Sequence, residues 1–137
     1  MKPAALALAL FALPASAADF LVVPIASYHT ERNGYNQINP GLGFERSINE
    51  RWSFGGGFYR NSYRRDSFYA GATYMRWRIG EIRLGTSLGL VTGYGGVLPM
   101  AAPTAVWDSG GVGISVMVTP PVSGKALVGL MLRWRID

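Results

Sequence analysis

This chain contains no cysteine and a single histidine, His29. Without cysteine no disulfide can staple the fold, so packing alone must hold it, or a solvent other than water. The same shortage leaves only carboxylate and carbonyl oxygens as metal ligands, so neither a metal site nor a cofactor is expected. Beyond the first residues there is no run of 18 or more apolar side chains, which excludes transmembrane helices. Acidic residues are scarce: 8 Asp and Glu face 13 Lys and Arg, for a formal net charge of +5. A basic balance implies anionic partners, either nucleic acid or lipid phosphates. No convincing amphipathic helix, internal repeat, low-complexity tract or interdomain linker is visible.

The opening residues, "MKPAALALALFALPASAAD", set a basic Lys2 before an apolar core from Ala4 to Leu13 and a Pro-Ala-Ser-Ala-Ala exit. That is the three-part layout of a secretory signal peptide, with cleavage expected after Ala17 or Ala18. Residues 1–18 are therefore expected to be removed, leaving 19–137 as one domain of about 119 residues. Export makes lipid phosphate the expected anion, and no nucleic-acid partner is expected.

What remains alternates. In "IRLGTSLGLVTGY", residues 82–94, Ile82, Leu84, Leu88, Leu90 and Tyr94 share one face, and Arg83, Gly85, Ser87, Gly89 and Gly93 the other. In "ALVGLMLRWRI", residues 126–136, Ala126, Val128, Leu130, Leu132, Trp134 and Ile136 form one wholly apolar face. A period of two with one apolar face is a strand signal. Turn residues divide the chain into eight such segments: Phe20–Thr30, Gly41–Ser47, Arg51–Arg60, Ser67–Ile79, Ile82–Tyr94, Val97–Trp107, Gly111–Thr119 and Lys125–Ile136.

Two architectures take eight antiparallel strands: a soluble lipocalin-like barrel or sandwich, and an outer-membrane barrel. The connections favour the second. Tight turns, "INE", "GE" and "DSG", join strands 2–3, 4–5 and 6–7, whereas "ERNGYNQINP" and "NSYRRD" are longer. Short turns on one rim and longer loops on the other are the outer-membrane pattern. Tyr28, Trp52, Tyr59, Tyr69, Trp77, Tyr94, Trp107 and Trp134 lie near strand ends, where interfacial girdles form. The expected fold is an all-β, eight-stranded antiparallel transmembrane barrel of the outer membrane of a Gram-negative bacterium. A monomer is expected.

Such a barrel is too narrow for an open channel. Gly55, Gly57, Gly85, Ser87, Gly89, Gly93 and Gly129 make its expected inner face unusually small, which points to a narrow, largely uncharged cavity. With both termini on the short-turn side, strand 1 ends outward at His29 and strand 3 at Asn61-Ser62. A histidine beside a hydroxyl can act as general base, on Ser62 or on an acceptor hydroxyl.

The chain resembles the outer-membrane lipid A palmitoyltransferases from about Val23 to Trp134. "VPIASYH" keeps that family's proline-to-histidine spacing in Pro24 and His29, and "YNQINPGLGFE" matches its first loop with one extra residue. "NSYRRDSFYAGATY" matches the end of its third strand and its Ala-Gly-aromatic fourth strand; Pro99, Pro103 and "TPPV" at Pro120 match prolines of its sixth and seventh. The resemblance implies an enzyme that moves an acyl chain from a phospholipid donor onto lipid A, with the tail inside the barrel. His29 would be the base, Ser62 the nucleophile or hydroxyl partner, and Asn61 the orienting residue where the family carries Asp. Pro24 with Pro40, and Pro103 with Pro120, would open lateral gates for lipid. Thr73 stands where the family has a Gly at the pocket floor, which implies an acyl chain shorter than palmitoyl.

Arg32, Arg60, Arg64 and Arg65 are expected on the same rim as His29. Arg grips phosphates bidentately, so Arg64 and Arg65 are expected to bind the phosphorylated acceptor. Because position 61 lacks a carboxylate, a catalytically inactive barrel that binds lipid or stabilises the membrane stands beside the acyltransferase.

Overall fold

The computed structural model describes residues 18–29, 34–122 and 125–136, with the backbone alone for 120–122 and 125–126. The expected signal peptide lies outside these residues except for Ala18. The strands are β1 (Ala18–His29), β2 (Gly41–Ser47), β3 (Trp52–Arg60), β4 (Asp66–Ile79), β5 (Ile82–Val91), β6 (Leu98–Ser109), β7 (Val112–Val122) and β8 (Lys125–Arg135). Each pairs antiparallel with its sequence neighbour, and β8 returns to β1, which closes the barrel. Closure pairs the first strand with the last, as a sheet in hydrocarbon requires.

The strand assignment from sequence falls short at β7, which runs to Val122 rather than Thr119, and overruns at β5, which ends at Val91 rather than Tyr94. Gly93 adopts φ +92°, a conformation outside any strand. Tyr94 consequently leaves the outer face and folds over the barrel mouth.

Side chains alternate across the wall. On β4, Tyr69, Gly71 and Thr73 line the interior cavity, whereas Phe68 is 63% exposed on the outside. All four tryptophans of the chain, Trp52, Trp77, Trp107 and Trp134, lie near the short-turn rim, within two residues of strand ends. Along β4, Phe68 and Trp77 stand nine residues apart (77 − 68), about 30 Å of strand at ~3.3 Å per residue. At the usual tilt of about 40° this spans roughly 23 Å, close to the ~25 Å apolar band of an outer-membrane barrel. Tyr59, Tyr69 and Tyr94, expected in the girdles, instead line the cavity.

Two bulges change the alternation. In β1 the register against β8 shifts between Pro24 and Ala26, so Val22 and Pro24 line the cavity below the bulge and Ser27 above it, while Tyr28 is exposed and His29 half-buried at the strand end. The bulge re-aims His29 toward the mouth, as extra residues in a strand commonly do. The second bulge lies between Met75 and Trp77 in β4.

Two seams are incomplete. The β1–β2 ladder runs from Ala18↔Ser47 to Val22↔Gly43 and stops just below Pro24. Above it the strands meet at the Ala26↔Ile38 bridge, with Ser27 N–H donating to Gln37 O (2.9 Å) and Asn39 N–H to Ile25 O (2.8 Å). The β6–β7 ladder runs from Ser109↔Val112 to Thr104↔Met117 and stops one residue short of Pro103. Leu98–Pro103 and Val118–Val122 thus extend beyond it.

Candidate functional site

The interior holds a cavity of about 160 Å³. Its upper wall carries Tyr59, Tyr69 and Tyr94, and its middle Met100, Met117 and Met131. Met is unbranched and flexible, so this waist can yield to an inserted chain. Below it, Thr73, Ser87 and Thr104 form a hydroxyl ladder, with Oγ1–Oγ distances of 2.8 Å (Thr73 to Ser87) and 2.7 Å (Ser87 to Thr104). Thr104 passes its proton on to Ala102 O at 3.1 Å.

The short-turn end is charged, contrary to the expectation of a largely uncharged interior. Arg133 is 1% exposed; its Nη1 donates to Glu45 Oε1 at 3.0 Å, and its guanidinium sits 3.9 Å over the Phe20 ring. Its Nε lies 3.0 Å from Asp108 Oδ1 without the alignment of a hydrogen bond. Arg83 completes the cluster through Asp108 Oδ2 at 2.7 Å. Charges removed from water persist only when paired. The signal was available in sequence: Glu45, Arg83, Asp108 and Arg133 all fall at inward positions of their strands.

At the outer mouth His29 stacks on Tyr35 with ring centroids 4.8 Å apart. Tyr35 meets Tyr63 edge-on at 5.7 Å, and Tyr63 meets Tyr94 likewise at 5.7 Å. Tyr94 and Tyr59 share a hydrogen bond of 2.9 Å between their hydroxyls. An aromatic chain therefore bridges the mouth. Burial, then the neighbouring Tyr59, raise the Tyr94 phenol above its ordinary pKa, so it stays protonated.

Ser62 is buried and lines the cavity, and Asn36 N–H donates to its carbonyl at 2.9 Å. His29 Nδ1 is buried and has no hydrogen-bond partner among the described residues. His29 and Ser62 thus share one rim through the 35–36 segment, yet no hydrogen bond joins their side chains among the described residues.

Asn61 is fully buried and its side chain is committed to the turn. Its Nδ2 donates to Ser67 Oγ and Gly93 O, both at 2.9 Å. Its Oδ1 accepts from Tyr63 N–H at 2.9 Å and Arg65 N–H at 3.0 Å. These bonds hold Arg64 in the left-handed region at φ 60°. A Cβ at Gly93 would sit 2.7 Å from Asn61 Nδ2, so this junction needs glycine for space as well as for φ. A side chain so engaged does not orient the His29 ring.

Arg64 and Arg65 are exposed on the same turn; Arg64 Nη1 donates to Gly34 O at 3.3 Å, and Arg65 lines a shallow recess with Tyr63, Tyr94 and Gly95. Arg60 pairs with Asp66 at 3.1 Å, and Arg32 lies outside the described residues. Thr73 faces the cavity. Pro24 is buried against it, Pro40 and Pro103 are exposed, and Pro120 is described by its backbone alone.

Neither protein-family models nor characterised proteins match this chain. Among solved structures, a de novo designed transmembrane β-barrel matches with a TM-score of 0.68 at 12% identity, over 87% of this chain and 95% of that one. A second designed barrel, TMB2.3, matches with 0.66 at 16% identity, over 90% and 99%. The Yersinia pestis outer membrane protein Ail in a phospholipid nanodisc matches with 0.47 at 15% identity, over 88% and 100%. The fold is that of eight-stranded transmembrane β-barrels.

Proposed function

We propose that this barrel takes the acyl tail of a membrane lipid from the bilayer into its interior. The observation that carries the reading is the pair of interrupted ladders, each at a proline and each beside the cavity. Unpaired backbone in hydrocarbon costs several kcal/mol per group, so a seam left open at membrane depth calls for a use. The cavity of about 160 Å³ compares with the ~150 Å³ that holds a benzene-sized ligand in an apolar core. It holds a short run of methylenes at rest and a longer one only if the methionines move. The test is mass spectrometry of the barrel purified from membranes. A retained lipid that is lost when Thr73 and Ser87 are replaced by leucine supports the reading; an empty barrel overturns it.

A second reading adds chemistry: transfer of that chain from a phospholipid to lipid A. The buried Nδ1 of His29, without a hydrogen-bond partner among the described residues, and the cavity-facing Ser62 favour it. In that reaction His29 takes the proton of the attacking hydroxyl, the new ester forms, and the lysophospholipid leaves with a proton. Asn61, tied to Gly93, supplies no charge to steady an imidazolium. Lipid A from cells with and without the protein separates the readings. An added acyl chain that vanishes in His29→Ala establishes transfer, and unchanged lipid A beside a lipid-loaded barrel leaves binding alone.

A further inference from the structure

The outer wall at the short-turn rim carries a second arrangement, distant from the mouth. Asn49 Oδ1 accepts from Arg51 N–H and Trp52 N–H, both at 2.8 Å, which fixes the β2–β3 turn. Arg51 O in turn accepts from Met75 N–H at 2.7 Å, joining this turn to β4 at its bulge. The bulge leaves two successive residues, Arg76 and Trp77, on the outer face, with the guanidinium 5.6 Å from the indole centroid. Between the two arginines stands Tyr74, whose hydroxyl accepts from Arg51 Nη1 at 3.3 Å, and Trp52 packs 4.8 Å from its ring.

Among the described residues neither Arg51 nor Arg76 has a carboxylate partner, although Arg46, Arg60, Arg83 and Arg133 all do. Glu50, next to Arg51 in the turn, makes no ion pair with either. Two exposed guanidiniums converge on one phenol, beside two tryptophans at the lower edge of the apolar band. Lipid headgroups lie at this depth, and their phosphates are the anions available there.

We propose that Arg51, Tyr74 and Arg76, flanked by Trp52 and Trp77, form a binding site for the phosphate headgroup of an anionic phospholipid. Guanidinium forks match phosphate oxygens, Tyr74 Oη can donate the proton it does not share with Arg51, and the tryptophans cover the glycerol region. The lipid lies flat against the outer wall, and its tails follow β3 and β4.

The test is native mass spectrometry of the full barrel released from bilayers of equal phosphatidylglycerol and phosphatidylcholine. Wild type should retain phosphatidylglycerol in preference, and Arg51→Gln with Arg76→Gln should reduce the ratio about fivefold for each arginine. Arg51→Lys with Arg76→Lys, keeping the charge without the fork, should fall between. Equal retention of both lipids by wild type, or an unchanged ratio in the glutamine variant, overturns the site. A lipid held inside the barrel survives in the glutamine variant, so the headgroup ratio reports the rim alone.

Discussion

Asn61 donates an amide proton to the Gly93 carbonyl at 2.9 Å, a bond that a carboxylate cannot make. Asn61→Asp would turn this contact into repulsion between two acceptors in a fully buried position. The variant should lose about 1–3 kcal/mol of stability at neutral pH. Burial raises the pKa of such a carboxyl above its unfolded value of about 3.9, so the native state binds its proton more tightly. Stability should therefore fall as pH rises above that value and recover on acidification. Unfolding of both proteins in detergent at a series of pH values checks this; equal curves would exclude the geometry.

Arg133 serves two carboxylates from one buried guanidinium. Arg133→Met leaves Glu45 without its partner and should destabilise the barrel by about 3–5 kcal/mol. Adding Glu45→Gln removes the stranded charge and should recover part of that loss. Urea unfolding of the two variants and wild type measures it, and a double variant as unstable as the single one would refute the pairing.

The strands and closed architecture were legible because alternation and turn residues act locally: Gly80, Gly110 and Gly111 each take positive φ in a tight turn. The interior was less so. A bulge adds one residue and reverses the inward parity above it, so the direction of His29 depends on an irregularity that no alternation rule reveals. Arg133, Glu45 and Asp108 come from three strands, and only closure brings them together. Asn61 read as a substituted catalytic position, whereas the long-range bond to Gly93 gives it a structural task.

Pro24 and Pro40 lie at the break in the β1–β2 ladder, and Pro103 at the end of the β6–β7 ladder. Restoring the missing donors by Pro24→Ala with Pro40→Ala should extend the first ladder and stabilise the seam by about 0.5–1.5 kcal/mol per bond formed. The same change should slow exchange of an interior lipid with the bilayer, read by release of a deuterated phospholipid from the purified barrel. Pro103→Ala with Pro120→Ala tests the other seam. Exchange as fast as wild type in both pairs would close the lateral route.

Thr73 Oγ1 lies 2.8 Å from Ser87 Oγ inside the barrel, and these two residues narrow the cavity above the Arg133 cluster. Thr73→Gly removes a methyl and a hydroxyl from that floor. Ser87 keeps Thr104 as a partner at 2.7 Å, so no hydroxyl is stranded. Glycine in the strand should cost about 1 kcal/mol. In return the cavity deepens by about one or two methylenes, because packed interiors transmit such volume changes directly. The barrel should then retain longer chains from a mixture of short- and long-chain phospholipids. Thr73→Val is the control: it keeps the volume, loses only the hydroxyl, and should leave the chain-length distribution where wild type has it. A Thr73→Gly distribution identical to wild type would remove Thr73 from the floor, even with the barrel still loaded.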